Sequence, residues 1–212
     1  TLNGVARFAV DAGANVAEAA LGARSDAGPL ELATPVESTA AGTASWYVDY
    51  LQAALNGFYG DYLSRRNSRL DLGMSFRHDG RRLPTTPEAF SAALAKPSHR
   101  VCVFVHALST TEWMWSLSSE RHYDEPGVTF GTRLEADLGF TPLYLRYNTG
   151  RHISENGRSL AELLSEMLAA YPGPIEEIAL VGHSMGGLVA RSAAHYASEH
   201  DEPWVERLRH IA

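Results

Sequence analysis

The stretch that decides the fold is Ile178-Ala179-Leu180-Val181-Gly182-His183-Ser184-Met185-Gly186-Gly187. A short apolar run leads into a Gly-x-Ser-x-Gly turn, and a helical pattern follows directly. This order predicts a strand, a sharp turn that holds Ser184 clear of its neighbours, and a helix. Gly182 and Gly186 flank the turn, where a Cβ would collide with the adjoining strand or helix. A chance match is the alternative, but the context on both sides favours a serine nucleophile.

The composition is that of an ordinary globular protein. The chain has 212 residues, of which 45% are hydrophobic and 20% charged, and its net charge is −7. An acidic chain offers no broad basic surface for phosphates, so nucleic acid is not an expected partner. No run approaches the roughly 18 apolar residues of a membrane span. Arg7, Asp11 and Glu18 interrupt the first apolar pattern, so we expect no signal peptide there; this favours the cytoplasm but leaves the location undetermined.

Two helices are predicted before the sheet begins. The first covers residues 2–21, and residues 22–44 form a linker without periodicity. The second helix is expected to be amphipathic and to pack on the domain, with peripheral contact at a lipid interface as the alternative. Its expected apolar face consists of Tyr47, Leu51, Ala54, Leu55, Phe58 and Tyr62. Its expected outward polar face consists of Asp49, Gln52, Asn56 and Arg65.

The remainder of the chain predicts an α/β fold. Alternation over residues 72–83 indicates a hairpin that turns at Asp79-Gly80, and a short helix begins at Thr86-Pro87. Apolar strands at 101–105, 143–147 and 178–181 then alternate with helices near 128–139 and 160–168. Such alternation predicts a mostly parallel sheet with helices on both faces, preceded by an antiparallel hairpin. Cys102 is expected to be buried within the first of these strands.

The end of that first parallel strand, Phe104-Val105-His106-Ala107-Leu108, carries a family resemblance. Together with the Ser184 turn, it resembles the lipase branch of the α/β-hydrolase superfamily. The resemblance implies that the backbone N–H groups of Leu108 and Met185 form an oxyanion hole. It also implies that His106 and His183 brace their loops, and that no metal or cofactor is needed. Ala107 replaces the usual glycine, and a positive φ there would strain the loop.

Two neighbouring segments have two interpretations each. Residues 147–157 look similar to a loop of bacterial lipases that resemble GPI inositol-deacylases. From the residues alone, Ser154 or Asn156 can cap the next helix, and Asn148 with Gly150 supports a turn. The second segment contains Trp113, Met114 and Trp115, which would either line an acyl pocket or pack a surface helix.

A serine hydrolase also needs a histidine base and an acid that orients it. Asp201 and His210 follow Ser184 in the expected order but come too early in the fold for those roles. Residues 209–212 read as the opening of a further strand, so we expect the acid and histidine beyond residue 212 and an inactive isolated segment. The expected domains are therefore an N-terminal helical extension, 1–69, and the N-terminal part of an α/β-hydrolase domain, 70–212.

The predicted function is that of a serine ester hydrolase of lipase or carboxylesterase type, acting on an ester or lipid through an acyl-enzyme at Ser184. An acyltransferase or thioesterase would use the same intermediate and is not distinguished by the motif. A non-catalytic, hydrolase-like binding module is the third alternative.

Overall fold

A computed structural model describes residues 43–78, 80–116, 122–125 and 128–212, with side chains from residue 48 onward. The helix predicted over 2–21, nearly all of the predicted linker, and Asp79 lie outside the described residues. Within these ranges no helix has the length and apolar character needed to cross a bilayer.

A single mixed sheet of six strands organises the described residues. Its strands are β1 Met74–His78, β2 Arg81–Leu83, β3 Arg100–Val105, β4 Thr141–Tyr147, β5 Glu177–Gly182 and β6 Leu208–Ile211. They lie in the order β2-β1-β4-β3-β5-β6. Strands β4, β3, β5 and β6 are parallel, and the β1–β2 hairpin joins them antiparallel through β1. The predicted fold class, a mostly parallel sheet with an antiparallel hairpin, is confirmed.

Five α-helices cover and flank the sheet in the described part of the chain. They are α1 Thr43–Arg65, α2 Pro87–Ala93, α3 Phe130–Leu138, α4 Ile153–Ala170 and α5 Met185–Glu199. Helices α4 and α5 pack on the face that presents Val103, Leu143 and Leu180, which forms the larger core. On the other face Cys102 and Phe104 pack with residues of α3 and the 3-10 helix Glu112–Ser116. Burial raises the pKa of the Cys102 thiol to about 12, as expected of a structural cysteine.

Helix α4 starts in a different way from the prediction. Its N-cap is His152, which makes no side-chain cap, so neither Ser154 nor Asn156 caps it. The Asn156 amide is instead buried and donates to the Asn148 carbonyl at 2.9 Å. A tertiary partner eight residues away thus replaces the local capping bond. The predicted turn is present, because the Gly150 N–H donates to Asn148 Oδ1.

Helix α1 exists as predicted, and Ala54 and Leu55 are buried and Arg65 exposed as expected, but four of the assigned positions are wrong. Asp49 and Asn56 are buried, whereas Phe58 is 72% and Tyr62 is 42% exposed. The polar residues turn inward because each has a specific partner: Asp49 binds Arg146, and Asn56 bonds the backbone of Leu70 and Leu72. Such partners offset the cost of burying polar groups, and periodicity alone does not reveal them.

Candidate active site

Ser184 lies at the carboxyl edge of the sheet, at the turn between β5 and α5. Its backbone has φ 54° and ψ −118°, a conformation that residues with a side chain rarely adopt. Holding it costs about 1–3 kcal/mol, which the surrounding structure must supply. The residue is exposed, and no side chain among the described residues hydrogen-bonds its Oγ. The turn therefore holds a free hydroxyl out of the sheet edge.

The two glycines of the motif allow β5, α5 and β3 to meet closely. A Cβ on Gly182 would overlap the backbone of Gly187, and one on Gly186 would overlap the carbonyl oxygen of Val105. The His183 N–H donates to that same Val105 oxygen at 3.0 Å. The Ser184 turn is thereby joined to the end of β3, where the second motif begins.

Loop 106–111 follows β3 and carries the predicted donor Leu108. The Ala107 N–H donates to Met114 Sδ at 3.4 Å, and the Thr110 hydroxyl donates to the Ala107 carbonyl at 2.8 Å. The positive φ in this loop falls on Ser109, at 56°, and not on Ala107. Alanine therefore causes no left-handed strain where the family usually has glycine. Leu108 is 51% exposed.

The two predicted oxyanion donors make no hydrogen bond within the described structure. In the described part of the chain, no acceptor hydrogen-bonds the backbone N–H of Leu108 or of Met185. Met185 is the first residue of α5, where backbone N–H groups have no intrahelical acceptor and the helix dipole favours negative charge. Both groups are free to bind an oxygen atom.

His106 braces this loop from beneath and is completely buried. The Tyr147 N–H donates to its Nε2 at 3.3 Å, so Nδ1 carries the proton that is donated to the Ala107 carbonyl at 3.0 Å. The Tyr147 hydroxyl donates to the His106 carbonyl at 2.8 Å, and the two rings stack. Burial lowers the pKa of His106 to about 3, so the ring is neutral near pH 7.

A buried ion cluster supports the same loop and was not foreseen from the sequence. The Arg146 guanidinium donates to Asp49 at 2.9 and 2.8 Å and to Glu112 Oε2 at 2.6 Å. Burial alone would lower the pKa of Arg146, but hydrogen bonds to Glu112 and Asp49 raise it above its ordinary value. The cluster joins α1, the 3-10 helix and β4. In the sequence, this cluster is indicated only by charged residues inside apolar segments, Asp49 in α1 and Arg146 in β4.

The predicted pocket residues contact other parts of the protein. The Trp113 indole N–H donates to Asp49 at 2.9 Å, and the Trp115 ring packs edge-on against Phe104. Met114 accepts the loop hydrogen bond described above. All three side chains thus make packing contacts, although the buried indole N–H of Trp115 has no hydrogen-bond partner in the described structure. A role in binding an acyl chain stays a prediction.

The acid and the histidine that follow Ser184 in the sequence, Asp201 and His210, lie away from it. His183 is exposed beside the serine. Asp201 follows the far end of the 15-residue helix α5, about 22 Å along its axis from Ser184. His210 contacts Glu177 at 3.4 Å and pairs with Ala179, on the amino side of the turn. The pair Asp201 and His210 thus does not assemble a triad with Ser184.

Other kinds of site are not indicated by the described residues. They contain no cluster of three or more side chains arranged to hold a metal ion. A groove of about 320 Å³ lies between the hairpin and α4, lined in part by Arg82, Arg151 and Glu166. None of its lining residues belongs to the Ser184 turn or to loop 106–111.

Comparison with known protein families identifies the family of this sequence. Residues 98–208, just over half of the chain, match the model of the PGAP1-like alpha/beta domain. The chain belongs to the PGAP1-like alpha/beta domain family. The family is of α/β-hydrolase type, and the matched segment contains both loop 106–111 and the Ser184 turn. The predicted resemblance to α/β-hydrolases is therefore confirmed.

Among solved structures, the chain is similar to a lipase from Bacillus licheniformis in its propeptide form. The identity is 22% and the TM-score 0.40, and the match covers 54% of this chain and 23% of the lipase. This chain thus corresponds to less than a quarter of that protein's length. No curated protein matches the chain.

Proposed function

We propose that this protein is a serine hydrolase that cleaves carboxylic esters, lipid esters included, through an acyl-enzyme at Ser184. The conformation of Ser184 carries the proposal. A serine with φ 54° and ψ −118°, exposed between a parallel strand and a helix, has the placement that a nucleophile requires. Membership of an α/β-hydrolase family supports the same conclusion.

The proposed oxyanion donors are the backbone N–H groups of Leu108 and Met185. Both lack acceptors within the described structure, and the bond from His183 to Val105 holds their two segments together. When Ser184 Oγ attacks the acyl carbonyl, negative charge develops on the carbonyl oxygen. Preorganised donors at that position lower the barrier because they need not reorient during the reaction.

The reaction proceeds in two steps. In the first, Ser184 Oγ bonds to the acyl carbon and gives its proton to a base, and the alcohol leaves with that proton. In the second, water gives a proton to the base and attacks the acyl-enzyme, which releases the acid and restores the hydroxyl. No base among the described residues hydrogen-bonds Ser184 Oγ, so the proposal assigns the histidine and its acid to residues outside them.

The test is hydrolysis of p-nitrophenyl acetate, butyrate and octanoate by the full-length protein. We expect Ser184→Ala to lower kcat/KM by about a thousandfold or more. Ser198→Ala, an exposed serine on the last turn of α5, is the matched control and should leave kcat/KM unchanged. Equal activity of Ser184→Ala and the parent would overturn the proposal. Products are also analysed with added alcohol, and acyl transfer that exceeds hydrolysis would replace hydrolase by acyltransferase.

A further inference from the structure

Helix α1 exposes a cluster of aromatic rings near its end. Phe58, Tyr59 and Tyr62 are 72%, 54% and 42% exposed. Asp49 and Asn56 of the same helix are instead buried with their partners. Large aromatic side chains in water are costly in a protein that has room to bury them, so such a cluster marks an interaction surface.

Arginines follow these rings directly. Arg65 is the last residue of α1, which is kinked at Tyr59, and Arg66 and Arg69 lie in the turns that follow it; all three side chains are exposed. Arg66 lies 4.9 Å from the centre of the Tyr62 ring. Residues 57–69 contain three arginines and one aspartate, a net charge of +2 in a chain whose total is −7. We name Phe58, Tyr59, Tyr62, Arg65, Arg66 and Arg69 the aromatic–arginine face.

We propose that the aromatic–arginine face docks on the surface of an anionic phospholipid bilayer. The three rings enter the boundary between headgroups and acyl chains, where tyrosine keeps its hydroxyl in water while its ring is buried. The arginines stay at the headgroup level and bind lipid phosphates. A local positive charge beside exposed rings is complementary to an anionic bilayer, to which the rest of this acidic chain is not attracted.

Helix α1, which carries this surface, packs against the loops at the same sheet edge as Ser184. Gly57 packs against Ser109 in the loop after β3, and Gly60 packs against Gly150 in the loop after β4. Both loops follow the carboxyl ends of parallel strands, which is also where β5 presents Ser184. Docking through α1 therefore brings the carboxyl edge of the sheet towards the lipid. Docking itself does not rest on the proposed function, since it is measured without catalysis.

The experiment is co-sedimentation of the full-length protein with vesicles. One set contains phosphatidylcholine alone, and the other contains about one quarter phosphatidylglycerol. We expect binding to the anionic set only, weakened about thirtyfold by Arg66→Gln/Arg69→Gln, which removes two charges. Phe58→Ser/Tyr62→Ser should also weaken binding, by about tenfold or more. Both double variants alter exposed side chains, so either one tests the proposal if the other fails to fold.

Two controls match these variants. Leu138→Ser removes an exposed apolar side chain, 55% exposed, before the amino end of β4, and Arg81→Gln removes an exposed charge at the far end of the hairpin. Both should bind like the parent, and so should Ser184→Ala. Binding of Ser184→Ala with loss of esterase activity would separate docking from catalysis.

Three results would overturn the proposal. The first is a parent protein that binds neither vesicle set. The second is binding that the control variants lose as much as the double variants do. The third is a parent dimer in sedimentation that Phe58→Ser/Tyr62→Ser converts to a monomer, which would assign this face to a second copy of the chain.

Discussion

Arg146 and Asp49 form a bidentate ion pair that joins β4 to α1 across 97 positions of sequence. Both side chains are about 5% exposed or less, and Glu112 occupies the other edge of the guanidinium. The pair joins α1, which lies outside the family segment 98–208, to β4. Strand β4 is the neighbour of β3, which leads into loop 106–111.

We expect Asp49→Asn to lower the free energy of unfolding by about 3 kcal/mol, because it removes a charge partner from a buried guanidinium. Asp61→Asn on the same helix is the control. Its partner Arg65 is 77% exposed, so its loss should cost less than about 1 kcal/mol. Urea unfolding of the parent and both variants measures the difference. An equal loss of unfolding free energy in both variants would show that the buried Arg146–Asp49 pair stabilises the fold no more than the exposed Arg65–Asp61 pair does.

Gly186 and Gly187 of the Ser184 turn differ in whether they can be replaced by alanine. Gly186→Ala should lower stability by a few kcal/mol and reduce esterase activity, since its Cβ would overlap the Val105 carbonyl. Gly187→Ala places a Cβ at 3.6 Å from the nearest atom, the Gly182 oxygen, which is ordinary contact. This neighbouring substitution should be neutral or slightly stabilising in a helix. Thermal unfolding and p-nitrophenyl butyrate turnover test both, and similar losses at the two positions would contradict the model of the turn.

His106 makes stability depend on pH in a defined direction. Its pKa is about 3 in the folded protein and about 6.5 in the unfolded chain, so only the unfolded chain takes up this proton between those values. Its contribution is complete above pH 6.5 and decreases by about 1.4 kcal/mol per unit as the pH falls towards 3. The control is His106→Gln, which does not titrate. The parent's unfolding free energy should fall more steeply than the variant's between about pH 6 and 4. Parallel curves would show that His106 is not buried as a neutral ring.

Much of the fold could be predicted because its signals are local. Apolar runs mark β3, β4 and β5, and the Gly-x-Ser-x-Gly stretch fixes the turn by the steric needs of adjacent residues. The burial of Asp49 and Asn56 on α1 could not be predicted in this way. Asp49 is buried because Arg146, distant in sequence, reaches it, and Asn56 is buried because it bonds the backbone at Leu70 and Leu72. The start of α4 was misplaced for the same reason, since Asn156 bonds Asn148 and does not cap the helix.

In the candidate site, too, the locally encoded features could be predicted and the contacts between distant residues could not. The Ser184 turn and the loop after β3 were visible as motifs, and their carboxyl-edge placement follows from parallel strands. The tautomer of His106 depends on Tyr147, and the bracing of the loop depends on Met114 and Glu112. These partners are brought together only by the folded sheet, so residue spacing carried no signal for them.

The most direct test of the account is covalent labelling of the full-length protein with a fluorophosphonate, followed by tandem mass spectrometry. We predict one modified serine, Ser184, with labelling lost in Ser184→Ala and retained in Ser198→Ala. An unlabelled Ser184 in a folded protein, or an adduct on a different serine that accounts for the activity, would contradict the assignment of Ser184 as the nucleophile.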